Sequence, residues 1–509
     1  VRALSIGNLL LQSFALASLI LVITPLTFLF IRAFSSGSGA FWEILFRGRT
    51  WQIMGTTLSL TLTVTLISTI VGTSIAWILT QVQLPLASFL RAACIMPLAI
   101  PSYVFTFSWI ALLPKFGGFF AAALVLSLST IPYVLLAVLA GMRRIDMTQF
   151  EVARTLGLNQ WSTFFKVTLP QLRNSLAAGS LLVSLYVISD FGAVSLLNVN
   201  TVTRAIQNLY RGSFDRTSAA ILSILILLLA LAIVSIEGSL RSKDPAQKTS
   251  VSIMRTKPFK TSSRARYISL TLILTYLILG LFLPLIVLFS IFIANPVSVN
   301  WSELSAAAFS TASASFAGAA IALTFAIPLG VLTLYRRNWL ARLSERGLLV
   351  IHALPGIVLG LALVSMSSRF PAIYQSVGLL AFSYAILFLA KSVGSVRSGI
   401  AKVPANLTEI SATLGRTRME TFRRINLPLA TPSIAVGFLL VMLASMKELP
   451  ATLMLRPTGF ETLATQIWSN TAINRFSEAA PFALTLIIVA AIPTFLLTRP
   501  DKESGGGQI

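Results

Sequence analysis

Stretches of about twenty mostly apolar residues recur along the whole chain, and no other feature restricts its fold as much. A helix of that length crosses the hydrocarbon layer of a bilayer. In lipid only helices and closed barrels satisfy every backbone N–H and C=O. The runs here are long and uniformly apolar, unlike the short alternating segments of a barrel. The expected class is therefore an all-α polytopic membrane protein. Twelve spans are read at 9–31, 54–80, 92–113, 118–140, 176–198, 218–236, 268–293, 307–334, 348–367, 374–395, 432–455 and 480–498. The first apolar run is longer than a signal-peptide core. The third span is the least regular, because "MPLAIPSYV" places Pro97 and Pro101 inside it and predicts a break or a re-entrant bend.

Composition agrees: 56% of residues are hydrophobic, 11% are charged, and the mean hydropathy is +0.85. The net charge of +23 would suit nucleic acid if it lay on one soluble face. It lies instead in loops between apolar runs. With the N-terminus in the cytoplasm, the loops 141–175, 237–267, 335–347 and 396–431 share one side and hold most of the Lys and Arg, as the positive-inside rule requires. The bilayer is the expected partner, nucleic acid is not, and both termini are expected to be cytoplasmic. A single cysteine, Cys94, and a single histidine, His352, leave no internal disulfide and no Cys/His metal cluster, so no dedicated metal site is expected. Both read as packing residues.

A repeat organises the chain. "EVARTLGLNQWSTFFKVTLP" at 151–170 returns as "EISATLGRTRMETFRRINLP" at 409–428, and at that one offset eight of the twenty positions are identical. Each copy follows the fourth span of its half, so the halves are parallel six-helix repeats. The expected division is a first half, 1–240, with its polar loop at 148–170; a basic linker, 241–266; a second half, 267–500, with its loop at 406–428; and a polar tail, 501–509. The linker carries eight basic residues and one acid without apolar periodicity, the mark of a solvated connection.

Within each loop, Thr148 and Asn406 are read as helix N-caps with Glu151 and Glu409 three residues on, as in a capping box. Gly157 and Gly415 fall where a helix ends in the left-handed region. A second short helix then ends near Pro170 or Pro428. The product is a helix–turn–helix lying across the cytoplasmic face. An amphipathic helix resting in headgroups would account for one such loop. Retention of the same spacing in two copies is better explained by a groove on a partner protein.

The pattern Glu-x5-Gly-x6-Phe-x4-Leu-Pro resembles the EAA loop of binding-protein-dependent ABC importer permeases, the coupling helix that sits in a cleft of the ATPase. The resemblance covers essentially the whole chain and implies the type I ABC importer permease fold with about 12 transmembrane helices. Carried onto this sequence, it makes Glu151, Ala153, Gly157, Phe164, Leu169 and Pro170, and Glu409, Ala412, Gly415, Phe422, Leu427 and Pro428, the ATPase-coupling residues. Val152 and Ser411 depart from the usual motif. "SDFGAVSLLNVNTVTRAIQNLY" (189–210), "MKELPATLMLRPTGFETLATQIW" (446–468), "PLAIPSYV" and "HALPGIVLGLALV" resemble fused two-half permeases of the ferric-iron uptake type, with thiamine and aminoethylphosphonate permeases as the alternatives. The resemblance implies a bacterial inner-membrane protein that works with two copies of an ABC ATPase and a periplasmic substrate-binding protein. ATP and Mg would be used by the ATPase, and this chain would bind no cofactor. It carries no Walker A motif and no hydrolytic constellation, so it is not expected to be an enzyme. A gradient-driven secondary transporter shares the parallel halves but has no reason to repeat such a loop.

Asp190, Lys447 and Glu448 lie inside apolar stretches, where charges usually face a polar interior. Asp190 and Glu448 are equivalent under the repeat. The readings that stand are that they line a translocation pathway, or that they pair with Lys447 or cap the broken helix at "ELP".

Overall fold

The computed structural model describes residues 6–35, 37–143, 145, 147–212, 215–240, 262–294, 299–335 and 339–498. Most of the basic linker, 241–261, and the tail, 501–509, lie outside the described residues. All regular elements described are helices. Nine are long and apolar enough to cross a membrane, or up to twelve if each of three bent pairs counts as one span.

The bend in the third span agrees with the break expected there, whereas the one in the ninth corrects the sequence reading. The third span breaks into Ala87–Ala99 and Ser102–Leu112, at 91° to each other. The ninth, read as continuous over 348–367, is also broken: Trp339–Ala353 meets Gly356–Ser367 at 106°. Both second helices begin directly after a proline in extended geometry, Pro101 (φ −65°, ψ 152°) and Pro355 (φ −66°, ψ 143°). Proline has no N–H to continue the preceding helix, and it pushes the residue before it out of the helical region. The fifth and eleventh spans end earlier than read. Their helices stop at Ser189 and Met446, and short helices Gly192–Leu196 and Pro450–Leu455 follow.

Packing divides the chain into two compact units: 1–47, 205–227 and 296–509 in one, 48–204 and 228–295 in the other. This departs from the two sequence halves, because the leading helix of each half packs with the other half and 205–227 joins the unit that holds 296–509. The helix Ile6–Ala33, at the start of the first half, packs on Trp301–Tyr335, Trp339–Ala353 and Gly356–Ser367 of the second. Phe14 meets Phe325 edge-on at 6.2 Å, and Arg369 stands over the Phe28 ring at 5.2 Å. In the other unit, the helices Ser263–Leu277 and Leu283–Ala294, which begin the second half, pack on Ala87–Ile95 and Ser102–Leu112 of the first. There the Tyr276 hydroxyl donates to the Cys94 carbonyl (3.3 Å) and Ser108 Oγ to that of Pro284 (3.4 Å). Cys94 is buried.

The duplication reaches the helix crossings, where small residues let membrane helices approach closely. A methyl group on Gly72 would lie 2.9 Å from Val134 Cβ, and one on Gly330 2.8 Å from Val396 Cγ1. Gly141 abuts Ser175, and Gly399 abuts Ser433. The glycines and the serines are offset by the same 258 residues that relate the two polar loops, while Val134 and Val396 are 262 apart, about one helical turn further on.

Candidate functional site

Two kinds of site repeat: the polar loops and the acid-capped helix breaks. In the loops, helices run over Met147–Thr155 and Ala405–Thr413, then turn at Gly157 (φ +86°) and Gly415 (φ +76°). Only glycine takes this left-handed geometry without steric cost. The Leu158 N–H returns to the Ala153 carbonyl at 3.1 Å and the Arg416 N–H to that of Ser411 at 3.2 Å, closing each helix end alike.

The expected caps are corrected. Each helix starts one residue before Thr148 or Asn406. In the second loop the cap position is Pro404, with no side-chain cap bond. The side chains of Thr148 and Glu151 lie outside the described residues. Glu409 is exposed.

The loop helices differ in what they bury. Ala153 and its counterpart Ser411 face inward, at 6% and 2% exposure. Ala412, chosen from the motif, is exposed; Ser411 is the residue equivalent to Ala153. Ser411 Oγ shares a 2.7 Å hydrogen bond with Thr421 Oγ1, a bond Ala153 cannot make to Thr163. Outward, Val152 and Leu156 are 51% and 78% exposed, and Ile410 and Leu414 match them at 53% and 71%. Spaced i, i+4, each pair forms one apolar stripe. The sequence puts Leu, Phe and Val/Ile on one side of the helix–turn–helix; burial adds that Val152, Leu156, Ile410 and Leu414 face outward.

After each turn a short helix leads into a π-helical turn, Phe164–Thr168 and Phe422–Asn426, directly before Leu169-Pro170 and Leu427-Pro428. A proline inside an α-helix collides with the carbonyl four residues back. Widening the preceding turn relieves the collision, with the Leu169 N–H bonding to the Phe164 carbonyl and the Leu427 N–H to that of Phe422. The helix therefore does not end at the proline as expected. It continues unbroken into Leu427–Met446, and in the first half bends by 65° at Leu172. Phe164 packs edge-on against Trp77 at 4.6 Å, anchoring the loop to the helix Gly48–Gln81.

The second site is built on the breaks. Asp190 follows the helix Arg173–Ser189, and its Oδ1 accepts the N–H groups of Ala193 (3.0 Å) and Val194 (3.3 Å). Ser102 Oγ, in the first turn after the Pro101 break, donates to Oδ2. Asp190 is 7% exposed. It thus caps one short helix and ties it to the start of another. Glu448 repeats the arrangement: its Oε1 accepts the Ala451 N–H at 3.1 Å, and its carboxylate lies against Gly356 after the Pro355 break. Of the readings for these acids, this geometry describes the cap.

Further along, the Thr57 hydroxyl accepts the N–H of Val202 at 3.0 Å and the Thr311 hydroxyl that of Leu463 at 2.9 Å. These bonds hold the first residues of the helices Val202–Arg211 and Leu463–Ala472 in both halves.

Lys447 ends the helix Leu427–Met446 and is half-buried, as is Glu448. A third charge was missed from sequence: Lys391, inside the helix Val377–Ala401, with its ammonium over the Phe388 ring at 4.7 Å. The lysine sits in an apolar run, and that was the signal available.

The chain matches the family described as binding-protein-dependent transport system inner membrane component twice, over residues 69–243 and 322–499. It is 30% identical over 480 residues to a ferric-iron transport system permease protein, FbpB 2, of Haemophilus influenzae, covering 93% of this chain and 95% of that one. A chloroplastic sulfate permease of Chlamydomonas reinhardtii is 29% identical over 258 residues, 46% of this chain and 68% of that one. A putative 2-aminoethylphosphonate transport permease of Salmonella typhimurium is 26% identical over 154 residues, 30% of this chain and 58% of that one.

Proposed function

Because the chain belongs to the family of binding-protein-dependent transport system inner membrane components, we propose that it forms the whole transmembrane pathway of an ABC importer for ferric iron, both halves in one polypeptide. Members of this family are non-catalytic, multi-pass membrane subunits that act with ATPase subunits and a substrate-binding protein. The observation that carries the reading for this chain is the repeated pair of exposed apolar stripes, Val152 with Leu156 and Ile410 with Leu414, on helices that end in matched left-handed glycines. Two such handles fit two copies of one ATPase. Each helix lies in a groove of its ATPase, with Glu151, Ala153, Gly157, Phe164, Leu169 and Pro170, and their second-half partners, setting the shape of the handle.

ATP and Mg act in those ATPases. Nucleotide-driven closure of the ATPase pair draws the handles together and biases the spans toward the outward-open state, and hydrolysis returns them. Such a shift requires each handle to bind more favourably in one state than the other. The protein resides in the bacterial inner membrane with both termini in the cytoplasm, the side on which its basic loops fall. Ferric iron is supported by a relative that carries that description across nearly its whole length. Asp190, Lys447 and Glu448 stand beside the breaks that would line the route.

Reconstitution tests both levels. The permease should co-purify with two ATPase chains, and vesicles holding this complex should take up radioactive ferric iron when given ATP and the loaded binding protein. Import of thiamine or aminoethylphosphonate in place of iron would replace the cargo and keep the importer. Uptake driven by an ion gradient, with no ATPase bound, would overturn both.

A further inference from the structure

The chain between the first two spans is not a bare loop. The span Gln12–Ala33 has 22 residues, about 33 Å of helix, which just crosses the hydrocarbon layer. Leu16, Ile20, Ile23, Phe30 and Ile31 stay exposed along one stripe of it, as apolar side chains that face lipid do. The Phe34 N–H still bonds to the Phe30 carbonyl at 3.2 Å, and helical spacing places the exposed Phe34 on the same stripe. The lipid-facing surface therefore runs on past the end of the span.

The chain then turns at Gly37 (φ +88°) into the helix Ser38–Phe46. Phe41 stacks on Phe34 at 4.6 Å, Trp42 meets Phe41 edge-on at 5.5 Å, and Phe46 stacks on Trp42 at 5.8 Å. Four rings thus form one group that starts on the lipid-facing stripe. Trp42 and Phe46, spaced i, i+4, stand outward at 53% and 70% exposure. Beside them, at the same spacing, Glu43 and Arg47 make an exposed ion pair at 2.9 Å. Phe41, Ile44 and Leu45 take the remaining side and are half-buried. The helix has three sides: one against protein, one charged and one aromatic. The second half has no counterpart, since only residues 295–300 separate Leu283–Ala294 from Trp301–Tyr335.

We propose that Ser38–Phe46 is an interfacial anchor in the outer leaflet, with Trp42 and Phe46 at the boundary of headgroups and acyl chains and the Glu43–Arg47 pair among the headgroups. Aromatic rings collect at that depth, and a helix with one apolar and one charged side lies in that plane. Lipid, not a soluble partner, covers the aromatic side, because the rings are continuous with a stripe that already faces lipid. Phe41 is stacked on Phe34, one residue past the span, so the group sits at the edge of the hydrocarbon and not above it. The charged pair is neutral as a unit and gives the anchor no preference for anionic lipid. It fixes the depth of Ile6–Ala33, the helix that packs on the second half. The choice of leaflet rests on the cytoplasmic N-terminus of the permease reading and not on the cargo.

Spin labels test the depth in the complete importer, in nanodiscs of zwitterionic lipid and in a Cys94→Ala background. Labels at Trp42→Cys and Phe46→Cys, introduced one at a time so that the other ring remains, should collide with oxygen in preference to a water-soluble nickel chelate, at about 5–10 Å below the headgroups. Labels at Glu43→Cys and Arg47→Cys should show the reverse preference. Equal nickel access at positions 42, 43 and 46, or shielding of 42 and 46 from both reagents, would overturn the anchor. Burial that appears only when the binding protein is added would overturn it in favour of a protein partner. W42E/F46E should quicken amide exchange in Ser38–Phe46 by about tenfold, the factor that one partly buried ring carries, and a parental rate would contradict the anchor. In spheroplasts, Glu43→Cys should react with a membrane-impermeant maleimide added outside. Reaction only after lysis would overturn the outer-leaflet placement and the cytoplasmic N-terminus with it. None of these readouts uses uptake, so a different cargo leaves them standing.

Discussion

Asp190 accepts the backbone N–H of Ala193 at 3.0 Å, and Glu448, 258 residues later, accepts that of Ala451 at 3.1 Å. The shorter acid is matched to Ser102 and the longer to Gly356, so the side-chain volume lost on one partner is regained on the other. Asp190→Glu alone should overfill the first site and destabilise the protein by about 1–3 kcal/mol. Adding Ser102→Gly should recover much of the loss, because the pair then reproduces the second half. Thermal unfolding of the purified permease in detergent, run as a double-mutant cycle, should give a favourable coupling of about 0.5–3 kcal/mol. Strictly additive losses would contradict the size matching.

Leu156 and Leu414 are mostly exposed, so replacing both with Asp should leave insertion and thermal stability close to parental, within about 0.5 kcal/mol. The same change places charge in the proposed apolar contact. Retention of the ATPase through purification should fall by about tenfold or more, as the loss of a buried anchor in a groove implies. A complex that survives both substitutions intact would argue against the stripe as the contact.

Ser411→Ala removes the 2.7 Å bond to Thr421 and should cost about 1 kcal/mol locally. Amide exchange in Ala405–Thr413 should quicken by about fivefold, the factor that such an energy carries. Ala153→Ser would place a hydroxyl opposite Thr163 and should slow exchange in Met147–Thr155.

Asp215 precedes the helix Arg216–Leu240, and its Oδ1 accepts the Ser218 N–H at 3.0 Å. Partial burial pushes its carboxyl up, but hydrogen bonds from Ser218 and Thr217 and the charge of Arg47 outweigh that and hold it below the ordinary carboxylate value. The stabilisation is therefore complete above the ordinary pKa of about 4 and is lost as pH falls through the lower folded value. Asp215→Ala should cost about 1 kcal/mol at neutral pH. Stability curves of parent and variant should converge in acid, and a constant gap across that range would contradict the cap.

Much of the architecture was legible in sequence because lipid leaves few options. Apolar length located the spans, and Gly157 with Gly415 marked the turns. Some of the misses arise because three-dimensional neighbours carry no spacing signal. The break at Pro355 looked like the tolerated prolines of other spans, since nothing near it in sequence shows Glu448 lying against Gly356. Asn406 has the right chemistry for a cap, but the helix had already begun at Ala405. Motif matching favoured Ala412 over Ser411, although the 258-residue offset pairs Ser411 with Ala153. Lys391 was passed over within an apolar run, although a charge there needs an explanation. The loop continues through Pro170 and Pro428 because a widened turn accommodates each ring, an option that local propensity does not weigh.

The packing of Ile6–Ala33 on helices after residue 300 has a consequence for biogenesis. When the ribosome has produced only the first half, that helix waits in the bilayer without its final neighbours, and the bundle it has just preceded lacks Ser263–Ala294. Neither portion can reach its mature packing until the other is synthesised. Cutting the gene at the basic linker would therefore yield two fragments that must trade their leading helices within the bilayer before either is complete.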